Sequence, residues 1–114
     1  MKIKLKHFFA DVANVTHFDD KDVQIKRIKN ILKQHNIKVL NAYAETFPNA
    51  SHTYLFCLAE SHLSIHEFPE IGMVFLDIFT CSTNALTKEA LKEVIEQGYG
   101  IITYTIKEIK RATS

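Results

Sequence analysis

The stretch LAESHLSIHEFPE, residues 58–70, concentrates reactive side chains that a strand meant only for packing does not need. Glu60, Ser61 and His62 are consecutive, and His66 follows four residues after His62. A serine held in a constrained extended segment can attack the carbonyl of the residue before it. The amide becomes an ester, and β-elimination can then cut the chain. Such chemistry needs a proton shuttle and stabilisation of an oxyanion. His66 suits the first task, because imidazole exchanges its proton near neutral pH. Strand alternation puts Ser61, Leu63 and Ile65 on one side and His62, Ser64 and His66 on the other. A bend would have to bring His66 to Ser61. Two plainer readings stand beside this one, Ser61 as an ordinary strand serine and His66 as a satisfied core histidine. His62 and His66 also have the spacing of a metal-binding helix, but Leu63 stands where a zinc protease needs Glu. The segment reads as extended as well, so no metal site is expected.

The elements that must hold these residues follow from periodicity. Residues 2–11 alternate (Ile3, Leu5, His7, Phe9) and predict a strand. Asp19 or Asp20 can cap a helix running to about His35, with Val23, Ile25, Ile28, Ile31 and Leu32 as its apolar face. Residues 37–46 predict a second strand and FPNAS a turn. Residues 52–60 predict a third strand. SHLSIH is extended too, and Pro69, which cannot donate a ladder hydrogen bond, stops it. Residues 72–80 predict a buried strand carrying Asp77. Thr87 can cap a second helix, with Leu91, Val94 and Ile95 inward and Gly98 as its stop. Residues 100–109 predict the last strand. Short links between the middle strands favour antiparallel pairing. The expected fold is an α+β two-layer sandwich, a mainly antiparallel sheet with two helices on one face. The bare sheet face then needs a cover, and a second copy of the chain is the simplest one.

The 114 residues fit a single domain, 1–114. A net charge of +1 gives no electrostatic case for nucleic acid or a membrane surface. No apolar run approaches the ~20 residues of a membrane span. MKIKLKHFF alternates lysine with apolar residues, unlike a signal peptide. A cytoplasmic protein is expected, with Cys57 and Cys81 as free thiols. Cys57, in an apolar strand, reads as a small core residue.

ESHLSIHEFPE followed by DIFTCS resembles the prokaryotic S-adenosylmethionine decarboxylase proenzyme family, whose pattern runs roughly ESHxxIHxWPE and then D-x-F-T-C-G. The resemblance implies cleavage between Glu60 and Ser61, giving chains 1–60 and 61–114. Ser61 would become a pyruvoyl group, the only cofactor, serving as the electron sink that pyridoxal phosphate provides elsewhere. His66 would assist processing, with the Thr53 hydroxyl in place of a family serine. Cys81 would protonate the substrate carbon. Phe47 lies where the family stacks a ring on adenine, and Glu70 where it bonds the ribose hydroxyls. A small-molecule substrate, a role in polyamine biosynthesis and a homodimer of cleaved protomers are implied.

Three positions depart from the pattern. Phe68 replaces Trp, Ser82 replaces Gly, and Glu67 stands where Thr is common. Some relatives decarboxylate L-ornithine or L-arginine, and a pocket carboxylate at Glu67 would complement their distal cation. Alternation, however, turns residue 67 away from the side of His66. Retained Phe47 and Glu70 favour S-adenosylmethionine. An uncleaved, non-catalytic partner subunit is the third reading.

Overall fold

The alternation read in the sequence is realised as a single sheet in a computed structural model, which describes residues 5–81, 88–100 and 102–111. Six strands form it: β1 (Lys6–Ala13), β2 (Val39–Thr46), β3 (His52–Leu58), β4 (Ser61–Phe68), β5 (Met73–Thr80) and β6 (Thr103–Ile109). Their spatial order is β2-β3-β4-β5-β1-β6, and every neighbouring pair is antiparallel. Two helices, α1 (Lys21–Gln34) and α2 (Lys88–Tyr99), complete the α+β two-layer arrangement. Ile3, Ser82 and the expected cap Thr87 lie outside the described residues.

Burial divides the sheet cleanly. Tyr54, Phe56 and Leu58 of β3, Leu63 and Ile65 of β4, and Val74, Leu76 and Ile78 of β5 are buried with Ile28, Ile31, Leu32, Leu91, Val94 and Ile95 of the helices. The intervening residues form the opposite, uncovered face. Leu55 is 49% exposed there and Phe68 37%. Cys57 falls on that face by the same alternation, so it is an exposed thiol rather than a core residue.

Asp20 caps α1, its Oδ2 accepting from the Asp22 backbone N–H at 3.1 Å. The inward positions are Gln24, Ile28, Ile31 and Leu32, a regular three-and-four spacing. Val23, expected inside, lies one residue off that stripe and is exposed. Gly98, expected to stop α2, is a buried residue inside it. Its carbonyl accepts from the Gln24 Nε2 at 3.2 Å, so it serves helix–helix contact. The left-handed residue after the helix is Gly100, at φ +82°.

Between β4 and β5 the chain makes one 3-10 turn, Pro69–Ile71, closed by Gly72 at φ +63°. This keeps β4 and β5 in register from Ser61 opposite Thr80 to Phe68 opposite Met73. No helix among the described residues is long and apolar enough to cross a membrane.

Candidate active site

The β3–β4 hairpin turn sets the chemistry at one end of the sheet. Leu58 pairs with Ser61, leaving Ala59 and Glu60 as the loop. Glu60 adopts φ +58°, a region that costs a side-chain-bearing residue roughly 1 kcal/mol or more. Its carbonyl is held by two donors from one residue. The Cys81 backbone N–H donates at 3.2 Å and the Cys81 thiol at 2.7 Å. Cys81 follows directly on β5, and β5 lies beside β4, which is why a residue so distant in sequence reaches this carbonyl. Next to it, the Ser61 Oγ is buried without a hydrogen-bond partner. A strained residue, a doubly held carbonyl and an unpartnered hydroxyl thus meet at the Glu60–Ser61 peptide.

The other end of the hairpin holds a second group. Thr53 and His66 are cross-strand partners on the uncovered face, with Thr53 Oγ1 and His66 Nδ1 3.3 Å apart. They border a groove of about 520 Å³ lined by Phe47, Pro48, Asn49, Ser51, Thr53, His66, Glu67 and Phe68. Phe47 opens the turn before β3 and is 45% exposed. Asn49 fixes that turn, its Oδ1 accepting from the Ser51 N–H at 3.2 Å and the Ser51 hydroxyl at 2.7 Å. Glu70 is exposed in the 3-10 turn, also beyond this end of β4.

The expected site residues therefore fall into two clusters. Glu60, Ser61 and Cys81 form one; Thr53, His66, Phe47 and Glu70 share the other end. β4 runs unbroken between them and has no bend toward Ser61. Five residue steps along the strand separate Ser61 from His66, about 16 Å. They also lie on opposite faces, Ser61 with buried Leu63 and Ile65 and His66 with exposed His62.

Glu67 requires a correction. Its side chain has no exposure, so it offers the groove no carboxylate. It points to the helices, where Oε2 accepts from the Tyr99 hydroxyl at 2.7 Å and Oε1 lies 3.2 Å from His52 Nδ1. Burial pushes its carboxyl above the usual range, against the hydrogen bonds from Tyr99 and His52. Period-two parity alone assigns Glu67 to the side of Ile65. The partners His52 and Tyr99 gave no signal in the sequence.

One further pair escaped the sequence. His7 Nε2 and Asp77 Oδ1 are 2.7 Å apart on the uncovered face, and Arg111 Nη1 approaches His7 Nδ1 at 3.0 Å. Guanidinium can only donate, so Nε2 carries the His7 proton and donates it to Asp77. His7 and Asp77 are 70 residues apart, beyond the reach of local patterning.

A family model described as S-adenosylmethionine decarboxylase matches residues 6–112. The chain belongs to the S-adenosylmethionine decarboxylase family. An S-adenosylmethionine decarboxylase proenzyme from Prochlorococcus marinus (strain MIT 9313) is 32% identical over 110 residues, covering 95% of this chain and 87% of that one. The proenzyme of Pyrococcus horikoshii is 34% identical over 79 residues, 69% of this chain and 56% of its own length. That of Archaeoglobus fulgidus is 42% identical over 60 residues, 53% of each chain. The crystal structure of the adenosylmethionine decarboxylase from Aquifex aeolicus VF5 superposes with a TM-score of 0.75 at 24% identity, covering all of this chain and 98% of that one. At that identity the likeness establishes a shared fold.

Proposed function

We propose that this member of the S-adenosylmethionine decarboxylase family is a self-processing, pyruvoyl-dependent decarboxylase of S-adenosylmethionine. The observation that carries the reading is the Glu60 carbonyl, held by two Cys81 donors beside the unpartnered Ser61 hydroxyl. The Ser61 Oγ attacks the Glu60 carbonyl carbon, and the Cys81 N–H and thiol stabilise the oxyanion. The Ser61 nitrogen leaves with a proton, giving an ester. Loss of the Ser61 Cα proton then expels the Glu60 carboxylate. The dehydroalanine left on the new chain takes up water, releases ammonia and becomes the pyruvoyl group. Cleavage also removes the strain stored at Glu60.

The pyruvoyl carbonyl supplies an electron sink for the charge left when carbon dioxide departs. The chain's own residues supply the rest. Cutting the chain frees the Cys81 thiol from the Glu60 carbonyl, leaving an acid beside residue 61 to protonate the substrate carbon. Phe47 offers a ring face for adenine, and Glu70 two acceptors for ribose hydroxyls.

Thr53, His66, Phe47 and Glu70 stand too far from Ser61 of the same chain to share its substrate. A homodimer resolves this. Two uncovered faces stacked antiparallel would bring the Thr53–His66 end of one copy to the Glu60–Ser61 turn at the strand end of its partner, twice by symmetry; Ser61 faces the helix side, so the approach is around that turn and not through the sheet. Exposed Leu55 and Phe68 supply apolar surface for that contact. The ornithine or arginine reading rested on Glu67, whose burial leaves it without support.

Three measurements test this. Carbon dioxide release is assayed in parallel on S-adenosylmethionine, ornithine and arginine; turnover of either amino acid alone overturns the substrate. A denaturing mass spectrum should show chains 1–60 and 61–114, whereas Ser61→Ala stays whole. Finally, Ser61→Ala and His66→Ala chains are mixed. The partner's His66 should rescue cutting of the His66→Ala chain alone, and no rescue at any concentration rejects the shared site.

A further inference from the structure

The polar seam behind β4 has no part in the chemistry above. It begins at Asp19, whose Oδ2 accepts from Arg27 Nη1 at 2.6 Å. Arg27 also donates to Gln24 Oε1 at 2.5 Å. The Gln24 Nε2 donates to the carbonyl of Gly98, the residue before Tyr99, at 3.2 Å. Tyr99 donates to Glu67, Glu67 meets His52, and the Tyr54 hydroxyl lies 3.1 Å from the same His52 Nδ1. Gln24, Tyr54 and Glu67 are at most 2% exposed and Tyr99 5%. The seam ties the loop before α1, α1, the end of α2, β3 and β4 to one carboxylate.

Such a cluster is expensive. A buried carboxylate loses hydration that two hydrogen bonds only partly replace, and apolar residues of similar shape often hold a fold as well or better. Its position suggests what it does. Thr53–His66 is the last paired rung of the β3–β4 ladder, and the His52–Glu67 side-chain contact joins the residues next to it on the helix side of the sheet. Fixing that contact from behind fixes the spacing and twist of the Thr53–His66 rung in front. The Thr53–His66 contact is 3.3 Å, long for a hydrogen bond to a ring nitrogen and sensitive to small shifts of either strand.

We propose that Glu67 is a positioning residue: through the strand, from the helix side of the sheet, it holds the Thr53–His66 pair in working geometry. This rests on the reading of that pair as the proton shuttle of a partner's site. The role belongs to this chain's departure from the family pattern, since a threonine at position 67 lacks the reach to meet both Tyr99 and His52. The titratable groups facing Glu67 are His52 and Tyr54 from β3 and Tyr99 from α2, with Asp19 acting at longer range.

The test compares Glu67→Gln with the double variant Glu67→Leu/Tyr99→Phe, which removes both partners of the 2.7 Å bond and leaves His52 to Tyr54. Thermal melting, the rate of Glu60–Ser61 cleavage and the imidazole 1H–15N spectrum of His66 are recorded. The double variant should melt near the wild type, yet move the His66 ring signals and cut about tenfold more slowly. Glu67→Gln, which keeps an acceptor for Tyr99, should preserve the ring signals and cut within about twofold of wild type. A stable double variant with wild-type ring signals and wild-type cleavage overturns the proposal. Should it not fold, Tyr99→Phe alone is read the same way, with the same overturning result. A wild-type chain that does not cut itself defeats the parent reading, while the ring signals, which need no activity, still decide this one.

Discussion

On the proposed reaction, Cys81 would perform two tasks with one side chain, first at the Glu60 carbonyl and then as an acid. Before cleavage its thiol donates to the Glu60 carbonyl at 2.7 Å, beside its own backbone N–H. Alanine keeps the N–H and loses the thiol. Cys81→Ala should therefore still fold and still cut, but roughly tenfold or more slowly, since loss of one oxyanion donor has cost ~10²–10³ where the donor was stronger. Turnover of whatever enzyme matures should fall by the ~10²–10⁴ of a missing general acid. Cleavage followed by gel electrophoresis and carbon dioxide release separate the two effects; wild-type values in both would remove Cys81 from the reaction. The sequence singled out Ser61 from its local run of reactive side chains, whereas Cys81 stood out only through the resemblance of DIFTCS. Nothing local to either residue reports that Cys81 reaches the Glu60 carbonyl, because that contact is made by strand neighbours 21 residues apart.

At the scale of elements, strands were legible wherever burial alternates strictly. β4 and β5 bury every second residue, so their faces follow from parity. The α1 stripe was harder, because it runs through the polar Gln24 rather than Val23, and Gln24 is inside for its bonds to Gly98 and Arg27. Two tests belong here. Gly72 sits at φ +63°, and a Cβ there would meet the Val15 carbonyl oxygen at 3.0 Å. Gly72→Ala thus adds backbone strain and a contact neither side can relieve cheaply, and should cost about 2 kcal/mol, roughly 8 °C in Tm. A melt at the wild-type temperature would mean the turn is looser than it looks. The second concerns Glu67, whose folded pKa is raised, chiefly by burial. A raised carboxyl favours the protonated form in the fold, so stability is lost as pH climbs from the ordinary carboxylate range through the folded value. The Tm of Glu67→Gln minus that of wild type should therefore increase across that window and then level off. A flat difference would show that Tyr99 and His52 fully offset the burial.

For the whole molecule, the decisive fact is that, among the described residues, one face of the sheet has helices and the other does not. The two-layer order was readable from short links and turn residues. What the uncovered face does was not, because a contact between copies would leave no period in a sequence. Leu55, near the middle of β3 on that face, tests it. Leu55→Arg adds a charge to a surface that two copies would have to dehydrate, and removes nothing from the core. It should yield a folded monomer by light scattering that remains one uncut chain. A cleaved monomer would assign the whole reaction to a single copy.

The unbent run of β4, with Ser61 at one end and His66 about 16 Å away at the other, has a consequence in time rather than in space. On the proposed shared site, a chain that cannot reach its own peptide bond with its own shuttle would carry no clock of its own. A newly made copy would then be inert until it met another, maturation would be a matter of encounter, and its onset would depend on how many copies the cell holds. Dilution should postpone cutting instead of leaving its half-time unchanged. The cell would then gain active enzyme more steeply than it gains polypeptide, a threshold that needs no activator and is built from the straightness of one strand.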